Sequence, residues 1–128
     1  MRAILIRTAD PGREAVLKID GREYCVRDGF SWSAAHAPAI GAEFNVELSA
    51  ELDDSWPWEK VFAANPDRRI GLEPLGGPSY FALGRISSIE PVRIDCGLLI
   101  EERAVHTHDP RVIGEFVGFR IETLDADG

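Results

Sequence analysis

GRISSIEPVRIDCGLLIEERAVHTHDPRVIGEFVGFRIETL, residues 84 to 124, reads as a run of short β-strands ending in a strongly alternating one. After Gly114, Val117, Phe119, Ile121 and Thr123 alternate with Phe116, Gly118, Arg120 and Glu122. Apolar side chains spaced by two put one face of a strand on a core and the other in water. Upstream, Ile86 and Ile89 precede Pro91, and Val92, Ile94 and Cys96 then alternate with Arg93 and Asp95. Gly97 breaks that strand, and Leu98-Leu99-Ile100 resumes before Glu101-Glu102-Arg103. A helical reading fails because Pro91, Gly97, Pro110, Gly114 and Gly118 interrupt every window long enough for one. Short strands punctuated by Gly and Pro point to an all-β, or mostly β, chain. The expected form is a small barrel, OB-like as the candidate type, of seven or eight strands.

The same punctuation runs back to the start. Arg2 to Arg7 is a short apolar strand, and Asp10-Pro11-Gly12 a turn. Glu14–Ile19 and Arg22–Val26 flank Asp20-Gly21, a dipeptide that tolerates positive φ and so favours a two-residue hairpin. Phe30 to Ile40 is an apolar, unpatterned connection carrying Trp32 and His36. Beyond Gly41, Phe44, Val46 and Leu48 alternate with Asn45, Glu47 and Ser49, which predicts another strand. Ile40-Gly41 followed by Phe44, Val46 and Leu48 matches Ile113-Gly114 followed by Val117, Phe119 and Ile121 at the same offsets. Val26-Arg27-Asp28-Gly29 has a loose counterpart in Arg93-Ile94-Asp95-Cys96-Gly97.

The expectation for residues 1–128 is one β domain; two related β-units, about 1–52 and 79–128, joined by a long irregular loop, 53–78, are one reading of the matching offsets, the other being that Gly followed by alternating apolar residues is common to many half-buried strands. Within that loop Trp58 to Ala64 suits one or two helical turns stopped by Asn65-Pro66. Loops of that length are functional or pack their own side chains, and Trp56-Pro57-Trp58 supplies side chains for either role. A chain of 128 residues with 45% hydrophobic content can bury a core. No window reaches the roughly 18 apolar residues of a membrane span. Arg7 and Asp10 interrupt any leader-like apolar run, so the chain reads as cytoplasmic.

Charge is the most informative feature. The net charge is −8, from 22 acidic and 14 basic residues. Between Asp28 and Glu59 there is no Lys or Arg, but seven acids: Asp28, Glu43, Glu47, Glu51, Asp53, Asp54 and Glu59. Glu43, Glu47, Glu51, Asp53 and Asp54, set beside Trp56 and Trp58, are the candidate partner-binding residues. Such a field repels phosphate and steers basic partners in a salt-dependent way. The functional expectation is a non-catalytic binding module for a basic protein: an inhibitor, an immunity-type protein or an accessory subunit.

Two alternatives compete with it. An OB-like nucleic-acid binder needs a basic groove lined by aromatics. Here acidity and the absence of a Lys/Arg cluster beyond Arg68-Arg69 argue against it. A metal site would draw on His106 and His108, two apart on one strand side, with Cys96 or an acid as a third ligand. That segment sits directly before Pro110 and also reads as an ordinary polar turn. The sequence carries no nucleophile elbow or P-loop, so no catalytic residue and no cofactor are expected, and Cys25 and Cys96 read as free thiols.

Overall fold

The computed structural model of the chain describes residues 1–53 and 55–128. The described residues form β1 (Arg2–Thr8), β2 (Glu14–Ile19), β3 (Arg22–Gly29), β4 (Glu43–Asn45), β5 (Glu47–Leu52), helix α1 (Trp58–Ala63), β6 (Gly71–Gly76), β7 (Ser79–Ile89), β8 (Val92–Asp95), β9 (Ile100–Glu101) and β10 (Phe116–Asp127). A single 3-10 turn covers Pro110–Val112. The chain is mostly β. Its pairings follow one open path, β4-β1-β2-β3-β10-β7-β8-β9, with β5 also on β10 and β6 on β7. Among the described residues nothing pairs the two ends of that path. The strands therefore do not close, and the expected barrel, with its OB-like form, gives way to an open ten-stranded arrangement.

Two compact units divide the chain. The first comprises residues 1–51, 76–78 and 123–128. In it β1 runs antiparallel to β2, and β2 to β3 through Asp20 and Gly21, whose φ values of 51° and 79° suit a tight two-residue hairpin. β4 pairs the other edge of β1, with Ala3 opposite Phe44. Val46 separates β4 from β5, and its N–H donates to the Met1 carbonyl at 2.8 Å. The strand expected over Phe44–Leu48 is thus two strands. Leu5, Leu17, Val26, Val46 and Leu124 are fully buried here.

The second unit comprises residues 52–75 and 79–122. β7 pairs β8 on one side and β10 on the other, with Gly84 opposite Val117. Ile86, Ile94, Val105, Val117 and Ile121 are fully buried. The stretch expected as an irregular loop contains α1 and β6. α1 ends where Asn65-Pro66 begins, as a proline that cannot continue a helix requires. β6 escapes a reading by composition because it contains Pro74 and two glycines. Among the described residues it pairs only with β7, the edge position where a residue without an N–H is tolerated. Asn65 is buried and anchors the turn after α1. Its amide donates to the carbonyls of Arg69 at 2.8 Å and Val117 at 3.2 Å, and its oxygen accepts from the Arg69 N–H at 2.8 Å.

The internal wiring of one unit recurs in the other. In the first, the Leu5 N–H donates to Ala42 O and the Gly41 N–H to Leu5 O, at 3.1 and 2.7 Å. In the second, the Ile86 N–H donates to Glu115 O and the Gly114 N–H to Ile86 O, at 2.9 and 2.8 Å. Gly41 and Gly114 both sit at positive φ, 82° and 92°. The register slips just after the bracketed residue in both, between Leu5 and Arg7 and between Ile86 and Ser88. No helix of the described residues is long and apolar enough to cross a membrane.

Candidate functional site

In the first unit a cleft of about 430 Å³ is lined by Arg27, Asp28, Gly29, Trp32, Asp125 and Asp127, with Gly12 and Ser49 at its margin. Parallel pairing of β3 with the end of β10 builds one wall, setting Arg27 opposite Asp125 and Gly29 opposite Asp127. Gly29 is required there. A β-carbon on it would lie 2.2 Å from Asp127 Oδ1 and 2.8 Å from the Ala126 carbonyl. The Asp127 carboxylate therefore occupies the space a side chain at 29 would fill.

Asp28 organises the opposite side. It is fully buried, and its carboxylate accepts from the Thr8 hydroxyl, from the Phe30 and Ser31 N–H groups at 2.9 Å each, and from the Ser31 hydroxyl at 2.7 Å. A buried charge needs such bonds to be tolerated at all. They fix the chain just before Trp32, whose indole ring lies against Gly12, 3.5 Å from where a β-carbon would stand. Trp32 is otherwise bare, 71% exposed. So large an apolar ring held open to solvent is unusual for a packing residue.

The cleft is acidic. Among the described residues Arg27 is the one cation in its lining, and it is held by two acids: Nη2 on Glu51 at 2.6 Å and Nε on Asp125 at 2.5 Å. Burial pushes the Asp125 carboxyl above its ordinary pKa, against the opposing pull of Arg27. Asp127 is exposed. Glu47, Ser49 and Glu51 alternate along β5 and share one of its faces, which places Glu47 and Glu51 on either side of the Ser49 that borders the cleft.

The sequence-derived candidates thus separate. Glu51 reaches the cleft through its ion pair with Arg27, and Glu47 lies on the β5 face that Ser49 shares, though neither lines it. Glu43 pairs with Arg2 on neighbouring β1 at 3.2 Å and is not part of the cleft lining. Asp54 lies outside the described residues. Asp53, Trp56 and Trp58 belong to the second unit, where they line a cavity of about 190 Å³ with Arg103, His106 and Arg120. Trp56 packs against Phe81 with ring centroids 5.6 Å apart, and Trp58 stacks on Phe62 at 5.4 Å. Asp53 accepts from the Ser55 hydroxyl and N–H, which hold its carboxyl below the usual pKa. The Lys- and Arg-free run of sequence is not bare in the fold, because β1 and β3 bring Arg2 and Arg27 to it. Each unit carries the same net charge of −4, from ten acids and six bases in the first and twelve and eight in the second.

His106 and His108 are exposed and line a cleft of about 330 Å³ with Glu102, Thr107, Pro91 and Val92, His106 being shared with the cavity of Trp56 and Trp58. Cys96 is fully buried, and burial first, then Asp95 and Glu101, pushes its thiol up to about 12. It is sealed from solvent, whereas His106 and His108 lie exposed. Among the described residues no three His, Cys, Asp or Glu side chains are grouped to hold a metal ion. Cys25 is likewise raised, by partial burial and by Glu14. The segment carrying the histidines runs outside any strand, and Asp109 caps its 3-10 turn by accepting from the Arg111 N–H at 3.0 Å.

Sequence reasoning passed over Trp32, Asp125 and Asp127. The available signal was Asp28-Gly29-Phe30-Ser31, the spacing of an aspartate that bonds the backbone two and three residues on. The acids near the C-terminus become part of a site only through the parallel pairing with β3, which no local pattern announces. Compared with protein-family models, curated proteins and solved structures, the chain matches none.

Proposed function

We propose that the protein is a cytoplasmic, non-catalytic binding module that recognises a basic segment of a partner protein through the cleft of the first unit. The observation that carries this reading is Trp32, exposed beside Asp125 and Asp127 in a cleft whose lining holds one cation, itself already paired with acids. An arginine or lysine side chain entering the cleft finds an indole face for its cation and stem, and the exposed Asp127 carboxylate for its donors. Glu47 and Glu51 extend the negative field along β5 and steer a basic partner toward the opening. An inhibitor, immunity-type protein or accessory subunit that masks a basic surface has this chemistry.

The test is titration with an arginine-rich hexapeptide at low and high salt, followed by capture from a lysate with wild-type and Trp32→Ala/Asp127→Asn protein. The reading expects peptide binding that weakens with salt, together with a captured protein that both salt and the double variant release. Peptide binding of equal strength in the double variant would overturn it.

A further inference from the structure

The cavity of the second unit has the opposite chemistry, and it stands independently of the acidic cleft. We infer that it is a binding site for a small anion carried on a flat ring, an aryl carboxylate or aryl phosphate.

Two indoles, with Leu52, Val61 and Phe119, form its apolar part, and each indole already rests on another ring. Trp56 rests on Phe81 and Trp58 on Phe62, with interplanar angles of 51° and 26°. Rigid aromatic walls cost little to order on binding. Two guanidinium groups, Arg103 and Arg120, and the His106 imidazole line the same cavity, against one carboxylate among the described residues, Asp53. That carboxylate is already engaged by two Ser55 donors, and it also feels the Arg120 charge through space. Arg103 is committed in part through its Nε, which donates to Glu101 at 3.1 Å.

Arg120 differs from both. It is exposed on β10, and among the described residues its guanidinium makes no hydrogen bond or ion pair. Its position is nevertheless fixed by backbone. Arg120 stands opposite Phe81 in the β10–β7 pairing, and its carbonyl accepts the Asp53 N–H at 3.2 Å. A planar fork of donors at the mouth of a two-indole cavity suits a carboxylate or phosphate bidentately while the ring enters between apolar walls. At about 190 Å³ the cavity is smaller than drug-sized pockets, which begin at roughly 300 Å³. It has room for one ring.

The experiment titrates the full chain with phenyl phosphate and with benzoate, following heat and the three indole N–H resonances. Inorganic phosphate supplies charge without a ring, and phenol a ring without charge. Saturable binding of phenyl phosphate or benzoate, at least about tenfold tighter than either control, with shifts at Trp56 and Trp58 and none at Trp32, is the expected result. Which of the two binds names the anion. Arg120→Gln should weaken that binding about tenfold or more, as loss of a charge-assisted bond implies, while leaving the thermal midpoint unchanged. No saturable binding, shifts confined to Trp32, or full affinity in Arg120→Gln would each overturn the inference.

Discussion

Residues 30–42, between β3 and β4, and residues 102–115, between β9 and β10, are connections of nearly equal length that return to the same kind of glycine bracket. The first contains no charged residue until it closes, and it hangs from the buried carboxylate of Asp28. What it contributes to its unit is the open indole of Trp32. The second carries Glu102, Arg103, His106, His108, Asp109, Arg111 and Glu115, with its 3-10 turn capped from within, and it contributes Arg103 and His106 to the cavity of Trp56 and Trp58. Frame and net charge are alike, yet one cavity is acidic and the other presents guanidinium groups. Recurrent backbone wiring sets where a connection returns, while the side chains along the connection set what the unit can bind.

The sharpest way to break this comparison is to remove the buried polar residue that each unit depends on. Asp28→Ala strands the N–H groups of Phe30 and Ser31 and should cost roughly 3 kcal/mol. Asn65→Ala mainly strands carbonyls, which tolerate a missing partner better than N–H groups do, so the loss should be nearer 2 kcal/mol. Chemical denaturation of both variants checks the order. If Asn65→Ala proved the more damaging, the connection in the first unit would not depend on Asp28 as argued.

Tryptophans give the next contrast. Trp56 is half-buried against Phe81, so Trp56→Ala should cost about 2 kcal/mol, below the 3–5 kcal/mol typical of a fully buried indole. A thermal midpoint within a degree of wild type would show instead that the ring is a bare platform and not part of the packing of its unit.

How far the sequence revealed this arrangement depends on the range of the interaction concerned. The Asp20-Gly21 hairpin, the stop of α1 at Asn65-Pro66 and the alternation of Val117, Phe119 and Ile121 are local, and each is readable from spacing or turn chemistry. The matching offsets after Gly41 and Gly114 are legible too, although the hydrogen bonds that bracket Leu5 and Ile86 are not. β10 shows where local reading ends. Apart from Gly118, its buried positions run 117, 119 and 121, then 124 and 126, a change of phase that falls where the strand passes from the second unit to the first. Its last residues pair in parallel with β3, more than ninety positions earlier, and only that pairing makes Asp125 and Asp127 neighbours of Arg27 and Gly29. The acidic run was visible as composition, but Arg2 and Arg27 reach it through strands that composition does not connect.

A smaller effect belongs to Asp125. Because its folded pKa is raised, the folded state holds this proton more tightly than the unfolded chain does. The contribution to stability is present below the ordinary carboxylate pKa and fades as pH rises through the raised value. Plotted against pH from 3 to 7, the stability of wild type relative to Asp125→Asn should therefore decline with rising pH. A difference that grew with pH would mean that the ion pair with Arg27 outweighs burial in this cleft.

The least expected change in stability is at Trp32. With 71% of its surface in water, the indole has little packing to lose, and Trp32→Ala should stay within about 0.5 kcal/mol of wild type. Its effect should appear in binding alone. An arginine-rich peptide should bind this variant severalfold more weakly, and phenyl phosphate should bind it as it binds wild type. Trp56→Ala should do the reverse for the two ligands, because the rings belong to units whose cavities carry different charge. Measuring both ligands on both variants turns the contrast between the units into a two-by-two result. Equal loss of both ligands in either variant would mean that the two indoles do not report on separate sites, and the division of chemistry between the connections would fall with it.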